Sequence, residues 1–179
     1  MSNLEIFAED GAKLSETGDG EEIALWLAGI GVTFERWPTR GLPADADGDT
    51  ILAAYAPEVE RLKAMGGYQS IDVVSVVPDH PNRAAMRTKF LSEHTHAEDE
   101  VRFFVRGEGL FTLHAADRVW NILCCEGDLM SVPAGMTHWF DMGAAPNFTA
   151  IRMFLNPDGW VAQFTGSDIA ERFPRHGAA

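Results

Sequence analysis

The sequence predicts a mainly-β domain with helices packed on its outside, and three observations carry that reading. Beyond Gly67 the chain breaks into short β-branched or aromatic runs, separated by turn residues at intervals of about 8–12, the rhythm of an all-β sandwich or barrel. Before Gly67, two stretches carry helical rather than alternating periodicity. The 179 residues, 46% hydrophobic and 23% charged, suit one ordinary globular domain large enough to build a core without disulfides.

The first helix is expected over Asp19 to Ile30. Acids fill its first turn, Ile23, Trp26, Leu27 and Ile30 share a face, and Gly31 stops it. Asp49 to Met65 repeats the logic with Ile51, Leu52, Tyr55, Val59 and Leu62, but Pro57 implies a kink or a break into two short helices. Between them lies a loop, RWPTRGLPADADG, and a third short helix is expected at Asn82 to Leu91. The strand runs are Ile71–Val77, Val101–Val105, Gly109–His114, Arg118–Cys124, Asp128–Val132, His138–Met142 and Phe148–Leu155. A Pro-Asp-Gly turn follows Asn156, and a short helix is expected around Asp168–Phe173. We divide the chain as one domain: residues 1–70 a mostly helical N-terminal part packed outside, 71–155 the β-barrel core, and 156–179 a C-terminal extension.

The balance of 27 acidic against 14 basic residues, a formal charge of −13, makes nucleic acid and anionic membranes poor partners. No apolar run approaches the ~20 residues needed to span a bilayer. MSNLEIFAEDG lacks a basic segment followed by an apolar stretch, so no signal peptide is expected. Cys124 and Cys125 are adjacent and would point to opposite faces of a strand, so they are expected to be reduced. A cytoplasmic location follows as the expectation.

Residues 90–107, FLSEHTHAEDEVRFFVRG, are not explained by packing. His94 and His96 are two apart and project to one face of an extended strand, and Glu100 keeps the same parity. His138 comes much later, after a Pro-x-Gly turn, where an antiparallel neighbour would bring it opposite. Three imidazoles and a carboxylate suit one divalent transition metal: iron, nickel, cobalt or manganese. A structural zinc would prefer a closed set of four, usually with thiolates. In six-coordinate geometry this set leaves two adjacent positions open. His80, His114 and His176 have no such company and read as surface, strand or tail residues.

The spacing His94-x-His96-x3-Glu100-x6-Gly107 matches the first motif of the cupins, and Gly127-x5-Pro133-x-Gly135-x2-His138 the second. Thr88 and Met142 depart from the usual Gly and Asn at the motif ends, and neither is a ligand position. One copy of the motif pair implies a single jelly-roll-like barrel. The flanking words EHTHAEDEVRFFVRGEGLF, VPAGMTHWFDMG and PNFTAIRMF, with FERW at Phe34–Trp37, resemble the acireductone dioxygenase family over nearly the whole chain. That resemblance implies a monomeric enzyme of methionine salvage with Fe2+ or Ni2+, Co2+ and Mn2+ also being compatible. It implies a small-molecule substrate, 1,2-dihydroxy-3-keto-5-methylthiopentene, and O2. Iron-loaded members give formate and 4-methylthio-2-oxobutanoate; nickel-loaded members give methylthiopropanoate, formate and carbon monoxide.

Arg102 shares the parity of Glu100 and is the lone cation in VRFFV. Beside a metal it would favour a dianionic enediol, so it is the expected catalytic side chain. Glu93 and Asp99, of odd parity, are expected behind the ligands, each accepting from the free N–H of a ligand histidine. The resemblance adds metal loading for Glu93 and relay of structural change for Asp99. Phe140, on the His138 face, is expected to wall the pocket. Arg152 is a cation in an apolar strand and needs a carboxylate or the substrate. The resemblance places Trp160 over the mouth. The rival readings are another mononuclear cupin dioxygenase or decarboxylase, and a non-catalytic cupin sensor or storage protein; the acidic chain has no basic recognition helix for a sensor.

Overall fold

The strand β1 (Asn3–Ala8) pairs with β2 (Lys13–Thr17) as a hairpin before the first helix α1 (Gly20–Ala28) begins. Next come β3 (Thr33–Arg36), α2 (Gly48–Ala54), α3 (Ala56–Gly66), β4 (Ser70–Val76) and α4 (Arg83–Phe90). The remaining strands are β5 (His94–Thr95), β6 (Glu100–Ala115), β7 (Arg118–Cys125), β8 (Asp128–Val132), β9 (Thr137–Asp141), β10 (Phe148–Phe154) and β11 (Gln163–Phe164). A 3-10 turn, Ile169–Glu171, lies near the end. The computed structural model describes residues 1–156 and 161–177.

Local chemistry accounts for the helices. The Asp19 carboxylate accepts from the Glu21 and Glu22 N–H groups and starts α1; Asp47 does the same for α2 through Thr50. The expected break is at Tyr55, and Pro57 falls in the first turn of α3, where its missing N–H costs nothing. Gly67, at φ +70°, ends α3 in the left-handed conformation.

Strand β6 ties the molecule together. Its first half pairs with β8 and β10, while its second half pairs with β7 and β9. The sequence reading divides it into two strands at Arg106–Glu108; the strand instead continues through these residues, with a one-residue register shift against β10 between Phe104 and Arg106 and a change of partner from β8 to β7. Gly107 makes this continuity possible. At φ +71° it sits where an added Cβ would lie 1.9 Å from the Asn147 carbonyl oxygen, so the neighbouring chain fits only against a bare backbone. The result is two sheets sharing one bent strand, β4-β10-β6-β8-β3 and β11-β5-β9-β6-β7-β1-β2. This is the expected jelly-roll-like barrel with flanking helices.

The N-terminal reading needs correction. Residues 1–70 are not only helical cladding, because β1 is hydrogen-bonded to β7 and β3 to β8 as members of the barrel wall. Their four to six residues give too short an alternation to stand out from neighbouring helical periodicity.

Side chains along β6 sort to two faces, with the alternation changing phase at the register shift between Phe104 and Arg106. Phe104 and Phe111 point inward to a cluster with Phe34, Met130, Phe140, Phe148 and the α1 residues Ile23 and Leu27. Val101, Phe103 and Val105 point outward, where Ile51, Tyr55, Val59 and Leu62 of α2 and α3 cover them. Phe103 is held between Trp37, stacked at 4.4 Å, and Tyr55, edge-on at 4.8 Å. The C-terminal segment packs Ile169, Ala170 and Phe173 over Phe7, Val119 and Trp139. Both cysteines are free, Cys124 buried and Cys125 half-buried.

Candidate metal centre

The sheet brings His94, on β5, into direct register with His138 on β9. His96 lies in the loop after β5, and Glu100 opens β6. Backbone contacts hold that loop. The Gly135 N–H donates to the His96 carbonyl at 2.9 Å, and the Ala134 N–H donates to Asp99 Oδ1 at 3.0 Å. Glu98 Oε2 accepts from the Leu155 and Asn156 N–H groups at 2.7 and 2.9 Å. The ligand loop is thus stitched to the Pro133–Gly135 turn and to the end of β10.

One ligand atom from each of His94, His96 and His138 lies within 4.8 Å of the others, and all three residues are buried. Donors on a common ion with bonds of about 2.1 Å lie at most about 4.2 Å apart, so little closure is needed. The ring orientations are fixed from behind. His94 Nδ1 faces the Ser92 carbonyl at 2.7 Å, His138 Nδ1 the Met136 carbonyl at 2.8 Å, and His96 Nδ1 the Val161 carbonyl at 3.1 Å. A carbonyl only accepts, so Nδ1 carries the proton and each neutral ring keeps its lone pair on Nε2.

Glu100 Oε2 lies 3.2 Å from His96 Nε2 and 3.1 Å from His138 Nε2. Two lone pairs and a carboxylate oxygen at one point are three acceptors, which require positive charge between them: shared protons or a cation. Burial pushes the Glu100 carboxyl upward, but the Arg102 charge, and protons shared with it by His138 and His96, hold it well below the usual range. Burial, then the neighbouring His138, pushes His94 down to about 4, so its ring is neutral at pH 7 and ready to ligate. For His96 burial acts downward and is outweighed by Glu100, so its pKa rises. Three nitrogens and an oxygen fit a divalent transition metal by donor type and by tautomer.

A sequence profile of the ARD/ARD' family matches residues 30–162. An acireductone dioxygenase of Synechococcus sp. is 58% identical over 178 residues, covering 97% of this chain and 98% of its own length. One from Marinobacter nauticus is 56% identical over 98% of this chain and 96% of its own. The chain belongs to the ARD/ARD' family. An acireductone dioxygenase from Bacillus anthracis, solved with a cadmium ion in its active centre, superposes with a TM-score of 0.82 at 30% identity, over 92% of this chain and 98% of that one.

Within this ARD-family barrel the other expected residues sort into several positions. Arg102 is buried one strand pitch from Glu100, with Nη2 donating to Glu100 Oε1 at 2.9 Å. Burial pulls its pKa down from the usual arginine value, and Glu100 opposes that. Phe140 is buried two residues beyond His138, against Phe111 and Arg102. Arg152 takes the carboxylate option: its Nε and Nη2 donate to Asp72 at 2.8 and 2.6 Å. It is also the register partner of Arg102, so two guanidinium groups sit on adjacent strands. Trp160 lies outside the described residues.

Glu93 and Asp99 are not placed as expected. Glu93 Oε1 faces His114 Nδ1 at 2.7 Å, and its Oε2 accepts from the Thr165 hydroxyl at 2.6 Å; Asp99 takes the Ala134 N–H. Backbone carbonyls, not these carboxylates, hold the ligand rings. The parity argument fails because β5 is only two residues long and the loop to β6 is irregular. His114 is likewise not without company, standing between Glu93 and Glu9, whose Oε1 is 2.8 Å away. The sequence reading also passed over Glu98 and Phe111. An acid inside a ligand loop was a usable signal for the first, whereas nothing local marks Phe111 within GLFTLH.

Proposed function

We propose that the chain is an acireductone dioxygenase, cleaving 1,2-dihydroxy-3-keto-5-methylthiopentene with O2 in methionine salvage. The observation that carries this is the convergence of His94, His96, His138 and Glu100 in a chain that matches curated acireductone dioxygenases along almost its entire length. In this reading those four side chains hold one divalent metal, iron or nickel. A bound metal supplies positive charge and adjacent coordination positions at which an enediol dianion can chelate.

The chain's own residues then do three things. The carbonyls of Ser92, Met136 and Val161 fix each Nδ1–H, so the Nε2 lone pairs are aimed before any ligand arrives. Arg102 places a buried cation beside the ligands and offsets locally the field of an acidic chain toward an anionic substrate, while Arg152, its register partner on β10, is committed to Asp72. Phe104, Phe111, Phe140 and Phe148 keep the floor apolar and dry, which strengthens every charge interaction above it. The substrate is itself the electron donor, so the metal need not change its oxidation state. The same reading takes the chain as one working unit, supported by β1 and β3 joining strands from the later part of the sequence. No helix among the described residues is long and apolar enough to cross a membrane.

The test is anaerobic reconstitution with Fe2+ or Ni2+, addition of the acireductone and then O2, and identification of products. The keto acid and formate are expected with iron, and methylthiopropanoate, formate and carbon monoxide with nickel. Absence of substrate-dependent oxygen uptake with both ions overturns the assignment.

A further inference from the structure

The Arg102 guanidinium is seated on two aromatic rings. Its central carbon lies 4.4 Å from the Phe140 centroid and 5.2 Å from that of Phe111. The two phenylalanines are register partners on β9 and β6, with ring centres 4.8 Å apart. The Phe140 ring occupies space that only a glycine leaves. A Cβ on Gly109 would lie 2.4 Å from Phe140 Cζ and 2.6 Å from Cε2. Gly109 thus admits Phe140, Phe140 and Phe111 seat Arg102, and Arg102 Nη2 takes Glu100 Oε1 at 2.9 Å.

At the end of this chain of contacts, the two oxygens of Glu100 have different duties. Oε1 is engaged by the guanidinium, while Oε2 faces the Nε2 atoms of His96 and His138. A free carboxylate can offer a metal one oxygen or both. A guanidinium held in place against one oxygen commits the group to the other. Cation–π contacts gain strength where water is excluded, and here both charged partners are buried.

We propose that Phe140, with Phe111, is a positioning residue that seats Arg102 so that Arg102 holds Glu100 by Oε1 and presents Oε2 alone to a metal ion. Phe140 therefore acts on the metal through two intermediaries rather than by touching substrate, and the expected substrate-wall role is secondary. The inference rests on the reading of Glu100 as a metal ligand.

The test uses full-length protein loaded with Co2+, whose visible spectrum reports coordination number, together with the rate at which excess chelator removes the ion. Phe140→Leu keeps an apolar side chain but removes the π face; Phe111→Leu is its companion, and thermal melts of the metal-free proteins check that each variant folds. Expected results are a changed cobalt spectrum and release faster by roughly 10- to 100-fold, the usual scale for outer contacts of a metal site. Arg102→Gln is expected to do the same, and adding Phe140→Leu to it is expected to change little more, because both act on one link. Wild-type spectrum and release rate in Phe140→Leu, or effects that multiply in the double variant, overturn the seating. Glu100→Gln separates the two levels. If that variant itself releases Co2+ at the wild-type rate, the ligand reading has failed; if it releases faster while Phe140→Leu does not, only the seating has failed.

Discussion

His94 and His138 are direct register partners across β5 and β9, so two of the three imidazoles meet because two strands pair. The pairing is thin, because β5 has two residues and its other neighbour, β11, also has two. Its reinforcement comes from Glu93, whose carbonyl accepts from the Thr165 N–H at 3.1 Å and whose carboxylate takes the Thr165 hydroxyl.

Thr165→Val removes that hydroxyl and leaves the backbone bond in place. Urea denaturation of the metal-free variant is expected to show a loss of about 1 kcal/mol, the net worth of one hydrogen bond. A titration with Co2+ is expected to show weaker binding than wild type, since His94 sits on the strand being held. Unaltered cobalt affinity would show that β5 needs no support from the C-terminal segment.

Metal should stabilise the fold only through an intact ligand set. A ligand that binds the folded state alone adds about 2.7 kcal/mol when present at 100 times its Kd. Adding Co2+ or Ni2+ to metal-free wild type should therefore raise Tm, and EDTA should reverse the rise. In His138→Ala the same addition should leave Tm almost unmoved. An equal shift in both proteins would locate the bound ion elsewhere.

Of the three motif glycines, all at positive φ, Gly107 and Gly135 differ most in what surrounds them. At Gly135, φ +78°, an added Cβ meets nothing within 4 Å, so Gly135→Ala should cost only the left-handed penalty of about 1–2 kcal/mol. At Gly107 the same penalty is joined by a collision with the Asn147 carbonyl. Gly107→Ala should yield insoluble or partly unfolded protein under conditions where Gly135→Ala is soluble. Equal recovery of the two, judged by soluble yield and far-UV circular dichroism, contradicts this account of the β6 bend.

What the sequence made legible, and what it hid, divides along the range of the interactions. The four candidate ligand residues stand at fixed spacing within two local motifs, so their meeting could be anticipated, and Pro57 marked the α2–α3 break for a similarly local reason. The roles of Glu93 and Asp99 could not be read, because they depend on partners as distant as His114, Thr165 and Ala134. Strands β1 and β3 were hidden because a short segment becomes a strand only when a distant neighbour, β7 or β8, offers its free edge. Arg152 fell between these cases: the need for a counter-charge was clear, but the choice of Asp72 came from the register of β4.

The buried Asp141 carboxylate gives the fold a pH dependence whose sign can be worked out. Arg87 of α4 donates through Nε and Nη2 at 2.7 and 2.9 Å, and the N–H groups of Gly143 and His176 donate at 2.8 and 3.1 Å. Burial alone would raise this carboxyl's pKa; the Arg87 bonds and the two N–H donors outweigh burial and lower it. A folded-state pKa below the unfolded value of about 3.9 means the contribution is full above that pH and fades as pH falls through the folded value. Arg87→Met removes the charge, leaves the carboxylate buried, and should cost about 3 kcal/mol at pH 7. Because protonating Asp141 relieves the variant more than the wild type, the stability gap should narrow between pH 7 and pH 4. Urea unfolding of both proteins at the two pH values checks this, and a gap that stays constant or widens toward acid would mean that Asp141 is not the group linking α4 and the C-terminal segment to β9.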